Sequence, residues 1–262
     1  MTKFFTSVLG FKAVCFDYAV VNPYGSNYSE CVSWLRRCRR HVREVLVDTA
    51  VHKLFHDHNL TDYPQWYIHH YVRFIRHVLE VVGSSAKVYY AIPDIPVDYE
   101  GREFLYPYNV ERTVHYIQLF LEKYVDALKP AVPVAVVQGR RDDVRSVIDT
   151  YIRYEDIYSQ FELIGVGPTC HSRNYRKLAQ MLLAVERTVS RRYHAFGIHY
   201  NTLKLFMSWR PEKFYSFDST AYYWIGRRRI RNPKERLESL SKYLHKLKEI
   251  GVQTPRIVLL TT

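Results

Sequence analysis

The 262-residue sequence predicts an α/β fold, a single (β/α)8 barrel of the TIM type. Three observations carry this. Short apolar runs rich in β-branched and aromatic residues alternate with stretches of helical periodicity. The runs are hardly broken by polar residues, as expected of strands covered on both faces. No Pro/Gly-rich or low-complexity linker divides the chain, so 1–262 is read as one domain, with a basic segment, 227–250, packed on it. A doubly wound open sheet is the runner-up.

The candidate strands are 13–16, 45–47, 88–92, 134–137, 161–164, 193–196, 214–217 and 257–260. Between the second and third, Trp66, Ile68, Val72, Ile75, Leu79 and Val82 line one face of a helix that Gly83 stops. Asn109 is placed as the cap of the next helix, with Val110, Val114, Ile117, Leu121, Val125 and Leu128 on its apolar face. Ser172 is placed as the cap of another, which runs through Tyr175, Leu178, Leu182, Val185 and Val189. The last opens with Asn232 as cap, Pro233 in the first turn and Glu235 positioned to close a capping box. Leu237, Leu240, Leu244 and Leu247 form its apolar face, and Gly251 ends it.

Hydrophobic residues at 47% and charged residues at 24% exclude a disordered chain. No apolar run approaches the ~20 residues that span a bilayer. Lys3 and Lys12 interrupt the N-terminus before it reaches signal-peptide length. The expectation is a cytoplasmic protein with no membrane partner. The net charge of +12 favours a polyanion, nucleic acid first. Cys15, Cys31, Cys38 and Cys170 form no C-x-x-C pair and are read as buried thiols. His52, His56 and Asp57 lack the H-E-x-x-H spacing, so no metal is expected.

In a parallel barrel the chemistry sits at the C-terminal strand ends. Asp48 follows 45–47, and Asp94 follows 88–92. Gln138 and Gly139 follow 134–137, Gly165 and Gly167 follow 161–164, Gly197 follows 193–196, and Asp218 follows 214–217. A single Asp there usually caps a helix or forms a turn. Three Asp and a Gln converging on one rim mean more. There is no phosphate-binding G-x-x-x-x-G-K, no G-x-S-x-G elbow, and no G-x-G-x-x-G after a first strand to support a dehydrogenase. Paired carboxylates then suit chemistry at an anomeric carbon, one attacking and the other moving protons.

These segments resemble the tRNA-guanine transglycosylase family (queuine and archaeosine tRNA-ribosyltransferases), barrel enzymes that exchange guanine for a 7-deazaguanine. Val47-Asp48-Thr49-Ala50 is similar to the family's Asp-Ser-Gly segment, whose Asp is the general acid/base. Ile92-Pro93-Asp94 resembles the segment whose Asp reads the guanine edge. Val136-Val137-Gln138-Gly139 resembles its Val-Gln-Gly strand end, and Ile164-Gly165-Val166-Gly167 its Ile-Gly-Gly turn. His194-Ala195-Phe196-Gly197 resembles its His-x-Phe-Gly strand. Ser216-Phe217-Asp218-Ser219-Thr220-Ala221-Tyr222 is similar to the archaeal Leu-Phe-Asp-Ser-Ala-Ser-Tyr segment, whose Asp is the nucleophile. Thr49 and Ala50 replace the usual Ser and Gly, and no zinc motif follows Asp218. This compact, zinc-less pattern leaves both tRNA and DNA open as acceptor, the latter as in DNA 7-deazaguanine transglycosylases.

The resemblance implies that Asp218 attacks the ribose C1′ and that Asp48 protonates the leaving guanine. Asp94 would accept the guanine N1–H and exocyclic amine. Gln138 and a backbone N–H near Gly165 would bind O6, and Phe196 and Gly197 would line the base, with Phe196 stacking on it. A 7-deazaguanine-type base is the co-substrate, no cofactor is implied, and family members often form homodimers. Arg227, Arg228, Arg229 and Arg231 are candidate phosphate contacts. A second basic cluster is Arg36, Arg37, Arg39, Arg40 and Arg43. Tyr222, Tyr223 and Trp224 are candidates to stack on bases, with at least one expected in the core. Two rival functions stay open: a catalytically inactive nucleic-acid-binding barrel, and a base-releasing N-glycosidase that uses water.

Overall fold

The computed structural model describes residues 1–97, 103–169, 174–225 and 228–260. The chain runs through β1 (Lys3–Ser7), β2 (Val14–Phe16), β3 (Tyr18–Val21), α1 (Asn27–Cys38), β4 (Glu44–Val47), α2 (Val51–His58), α3 (Gln65–Val82) and β5 (Lys87–Ala91). It continues with α4 (Tyr106–Lys123), β6 (Val132–Val137), α5 (Val144–Arg153), α6 (Glu155–Tyr158), β7 (Leu163–Val166), α7 (Tyr175–Thr188) and β8 (Arg192–Ala195). Last come α8 (Tyr200–Met207), β9 (Phe214–Asp218), β10 (Trp224–Ile225), β11 (Arg228–Arg229), α9 (Pro233–Glu249) and β12 (Ile257–Leu259).

Eight parallel strands close into a barrel in the order β1-β3-β4-β5-β6-β7-β8-β9, and helices cover its outside. The expected (β/α)8 barrel is therefore what the chain forms, but two of its staves differ from the expectation. The runs 13–16 and 257–260 are not barrel strands. They pair antiparallel with each other as β2 and β12, with Cys15 opposite Val258. Their places are taken by β1 and β3.

The physical reason lies in two charged residues. Lys3 opens β1, where Thr6 and Ser7 also shorten the apolar run, yet its side chain is only 18% exposed and pairs with Glu44. Asp17 splits the run from Val14 to Val21 into two strands. Its carbonyl accepts from Arg43 N at 2.9 Å and Glu44 N at 3.0 Å, and its carboxylate accepts from Arg256 N at 2.7 Å.

The barrel interior holds Phe5, Tyr18, Val20, Leu46, Tyr89, Val134 and Leu163. Tyr215 closes the N-terminal end, accepting from Lys3 at 2.8 Å and donating to Glu44 at 2.7 Å. The interior is thus packed, and any site has to open at the other end.

Helix ends show three further differences. Asn109 does not cap α4. It lies one turn inside, buried, and its amide donates to Pro96 O at 3.0 Å. Ser172 lies outside the described residues, and the cap of α7 is Asn174, which accepts from Lys177 N at 3.1 Å. Asn232 caps α9 as expected, but Glu235 faces Arg228 at 3.4 Å. Helix α9 buries Leu240, Tyr243, Leu244 and Leu247, which fastens the basic C-terminal segment to the barrel.

Cys15 and Cys38 are not free thiols. Their Cα atoms lie 5.4 Å apart in a disulfide that ties β2 to the end of α1. The packing of β2 on α1 brings them within bridging range, and their 23-residue separation carries no motif. Cys31 is free and buried. Cys170 lies outside the described residues. No described helix is long and apolar enough to cross a membrane.

Candidate active site

A cavity of about 580 Å³ opens at the C-terminal end of the barrel. Its wall carries Asp48, Asp94, Gly167, Phe196 and Asp218. Strand order explains the convergence, because the ends of β4, β5, β7, β8 and β9 all point to this rim.

Asp48 extends β4, its N–H donating to Val21 O at 2.8 Å. Ala50, at φ 54°, turns the chain sharply into α2. Tyrosines hold these strand ends from behind. Tyr67 and Tyr71 are four residues apart on one face of α3. Tyr67 donates to Thr49 O at 2.7 Å, and Tyr71 donates to Val47 O at 3.0 Å and Ala91 O at 2.7 Å. Tyr63 donates to Asp94 O at 3.1 Å. The backbone that carries both carboxylates is thereby fixed by buried hydroxyls. That helical spacing was readable in the sequence, but its role depends on which strands α3 covers.

Burial pushes the Asp48 carboxyl up to about 7, and the nearby Asp218 charge adds to the effect. The backbone N–H groups of Ala50 and Thr49 oppose it. A carboxyl of this kind holds a proton near neutral pH and can give it away.

Asp218 ends β9. Its Oδ1 accepts from Gly197 N at 2.9 Å and lies 3.4 Å from His194 Nε2. His194 is buried beneath it, with Nδ1 2.9 Å from Ser216 Oγ and its ring 4.5 Å from that of Phe196. Sequence reasoning assigned no role to His194. The signal was present, a His alternating with aromatics toward the barrel interior.

Asp94 is buried at 8% exposure and accepts from Gln138 Nε2. Gln138 was expected to line the base site. It lies behind the wall instead, 2% exposed, and orients Asp94. A backbone N–H near Gly165 was expected to face the base, with Gly165 among the base-binding residues. It belongs to β7, and Phe196 covers it so closely that an added Cβ would stand 2.7 Å from the ring. Gly167, two residues on, reaches the cavity wall. Gly197 was also placed against the base, but its N–H is committed to Asp218. Phe196 lines the cavity, half-buried.

At the mouth stand Tyr223, Trp224, Arg229 and Arg236. Tyr222 and Tyr223 are buried, whereas Trp224 is exposed. Arg229 and Arg231 are exposed, Arg228 faces Glu235, and Arg227 lies outside the described residues. The other cluster, Arg36 to Arg43, sits at the end of α1 and leads into β4. That is the closed end of the barrel, away from the cavity.

No protein-family model matches the chain, and no curated protein is similar enough to count as a match.

Proposed function

We propose that this barrel is a base-exchange transglycosylase that replaces guanine in a nucleic acid with a 7-deazaguanine through a covalent Asp218–ribose intermediate. The observation that carries the reading is a proton-holding carboxyl, Asp48, on the wall of one cavity with the anchored carboxylate of Asp218 and the buried Asp94.

In the first half, Asp218 attacks the ribose C1′ and the bond from C1′ to the base breaks. Asp48 gives its proton to the leaving base, which departs as neutral guanine. In the second half, a ring nitrogen of the incoming base attacks C1′. Asp48 takes that nitrogen's proton, and Asp218 is released. Two inversions retain the configuration, as in retaining glycosidases. The Gly197 N–H holds the Asp218 carboxylate in place for attack.

Asp94 accepts from guanine N1–H and the exocyclic amine. Adenine offers no matching donor pair, so Asp94 would keep only its Gln138 partner and gain nothing from that base. Phe196 supplies the stacking face. The sequence resemblance to the tRNA-guanine transglycosylases supports the same assignment of Asp48, Asp94 and Asp218.

The test is exchange of labelled guanine into tRNA and into DNA. Incorporation is expected for the wild type and lost in Asp218→Asn, which still binds nucleic acid. Incorporation by Asp218→Asn would overturn the nucleophile assignment. Release of base without incorporation would favour the N-glycosidase, in which water replaces the incoming base. Binding with neither would leave an inactive binding barrel.

A further inference from the structure

Strand β9 carries Asp218 and leads within a few residues into the hairpin β10–β11, where Trp224 pairs with Arg229 across the two strands. Three consecutive aromatics enter this hairpin and are treated differently. Tyr222 is 2% exposed and Tyr223 6%, both packed near Phe11, while Trp224 is 47% exposed. At the lip of the cavity this indole presents a flat face that an unstacked base can cover.

The hairpin is fastened rather than loose. Ile230, fully buried, donates its N–H to Tyr223 O at 2.7 Å. Arg236 donates to Ile230 O at 3.0 Å and to Leu9 O at 3.3 Å, with its guanidinium 4.8 Å from the Tyr223 ring. Arg228 is turned toward Glu235 at 3.4 Å. Trp224, Arg229 and Arg236 then line the same cavity as Asp48 and Asp218. One edge of the site offers an aromatic face and a guanidinium side by side, the pair that recognises an unstacked base and its phosphate.

We infer that Trp224 and Arg229 form a single-strand clamp. The indole stacks on the base next to the reacting nucleotide, and Arg229 binds the phosphate between them. The inference rests on the proposal that the cavity takes a nucleotide, and it deepens it. The acceptor presents its target in an unpaired stretch, because a base lying on Trp224 has left its own stack.

The test measures binding of fluorescein-labelled 12-nucleotide single strands, as RNA and as DNA, and of the matching duplexes, to the full chain at fixed salt. The wild type is expected to bind one or both single strands more tightly than the duplexes. Trp224→Ala is expected to lose roughly tenfold or more in that affinity, with Trp224→Phe close to wild type. A 2-aminopurine beside the target guanine should be quenched by the wild type and not by Trp224→Ala. Equal melting temperatures of the variants exclude misfolding as the cause. The tighter of the RNA and DNA arms names the sugar.

Trp224→Ala binding single strands as well as the wild type would overturn the clamp, as would a preference for duplex. Guanine exchange that succeeds while Trp224→Ala binds normally would sink the clamp alone. A tenfold loss without any exchange would sustain the clamp and remove the transglycosylase chemistry. No binding to any of the four probes would remove both.

Discussion

At Asp48, burial and the like charge of Asp218 act in the same direction, and both favour the protonated carboxyl. Removing one of them should be visible without any substrate. Asp218→Asn should lower the Asp48 pKa from about 7, measured by NMR titration of the carboxyl carbon. An unchanged value would contradict their proximity. Because the folded pKa is raised, the folded chain holds a proton that the unfolded chain releases. This contribution to stability is complete below the ordinary carboxyl value of 3.8 and is lost as pH rises through about 7. The first half-reaction needs the same proton, so its rate should fall over the upper part of that window. Asp48 and Asp218 were legible because each directly follows an apolar run, and in a parallel barrel the C-terminal ends of such runs converge on one rim. Gln138 and Gly197 were legible as rim residues but not in their roles, because which groups face the cavity depends on hydrogen bonds between strands, while Gly165 lies within β7 rather than beyond it. Gln138 turned to Asp94, and Gly197 turned to Asp218.

At the scale of elements, the glycines of β7 and its following turn set the shape of the cavity. A Cβ on Gly167 would stand 2.4 Å from Gln138 Nε2, the group that orients Asp94. Gly167→Ala should therefore displace the amide, cost about 1–3 kcal/mol in stability by overpacking, and weaken discrimination between guanine and adenine. Urea unfolding and competition binding would measure the two effects, and full retention of both would contradict the packing described. The strands β4 to β9 were legible because their apolar runs are continuous. The strands β1 and β3 were not, because Lys3 and Asp17 are satisfied only by partners far along the chain, Glu44 and the backbone at Arg43 and Arg256. A charge that is neutralised across the fold looks, in sequence, like a strand breaker.

Across the whole molecule, the net charge is +12, and two of its basic clusters lie at opposite ends of the barrel. Arg36 to Arg43 lie at the closed end, and the Arg228 to Arg236 region lies at the mouth. Total charge was readable from composition, but its division depends on the direction in which α1 runs along the barrel. The mouth gathers Asp48, Asp94, Asp218 and two guanidinium groups in one opening, with the barrel behind it closed by Tyr215, Lys3 and Glu44. The central claim concerns one covalent bond. Incubating the chain with guanine-containing nucleic acid while removing released guanine should trap the ribose on the protein. Mass spectrometry of proteolytic peptides is predicted to find the added mass on Asp218, and none in Asp218→Asn. An adduct on another residue, or turnover with no adduct under any quench, would contradict the account.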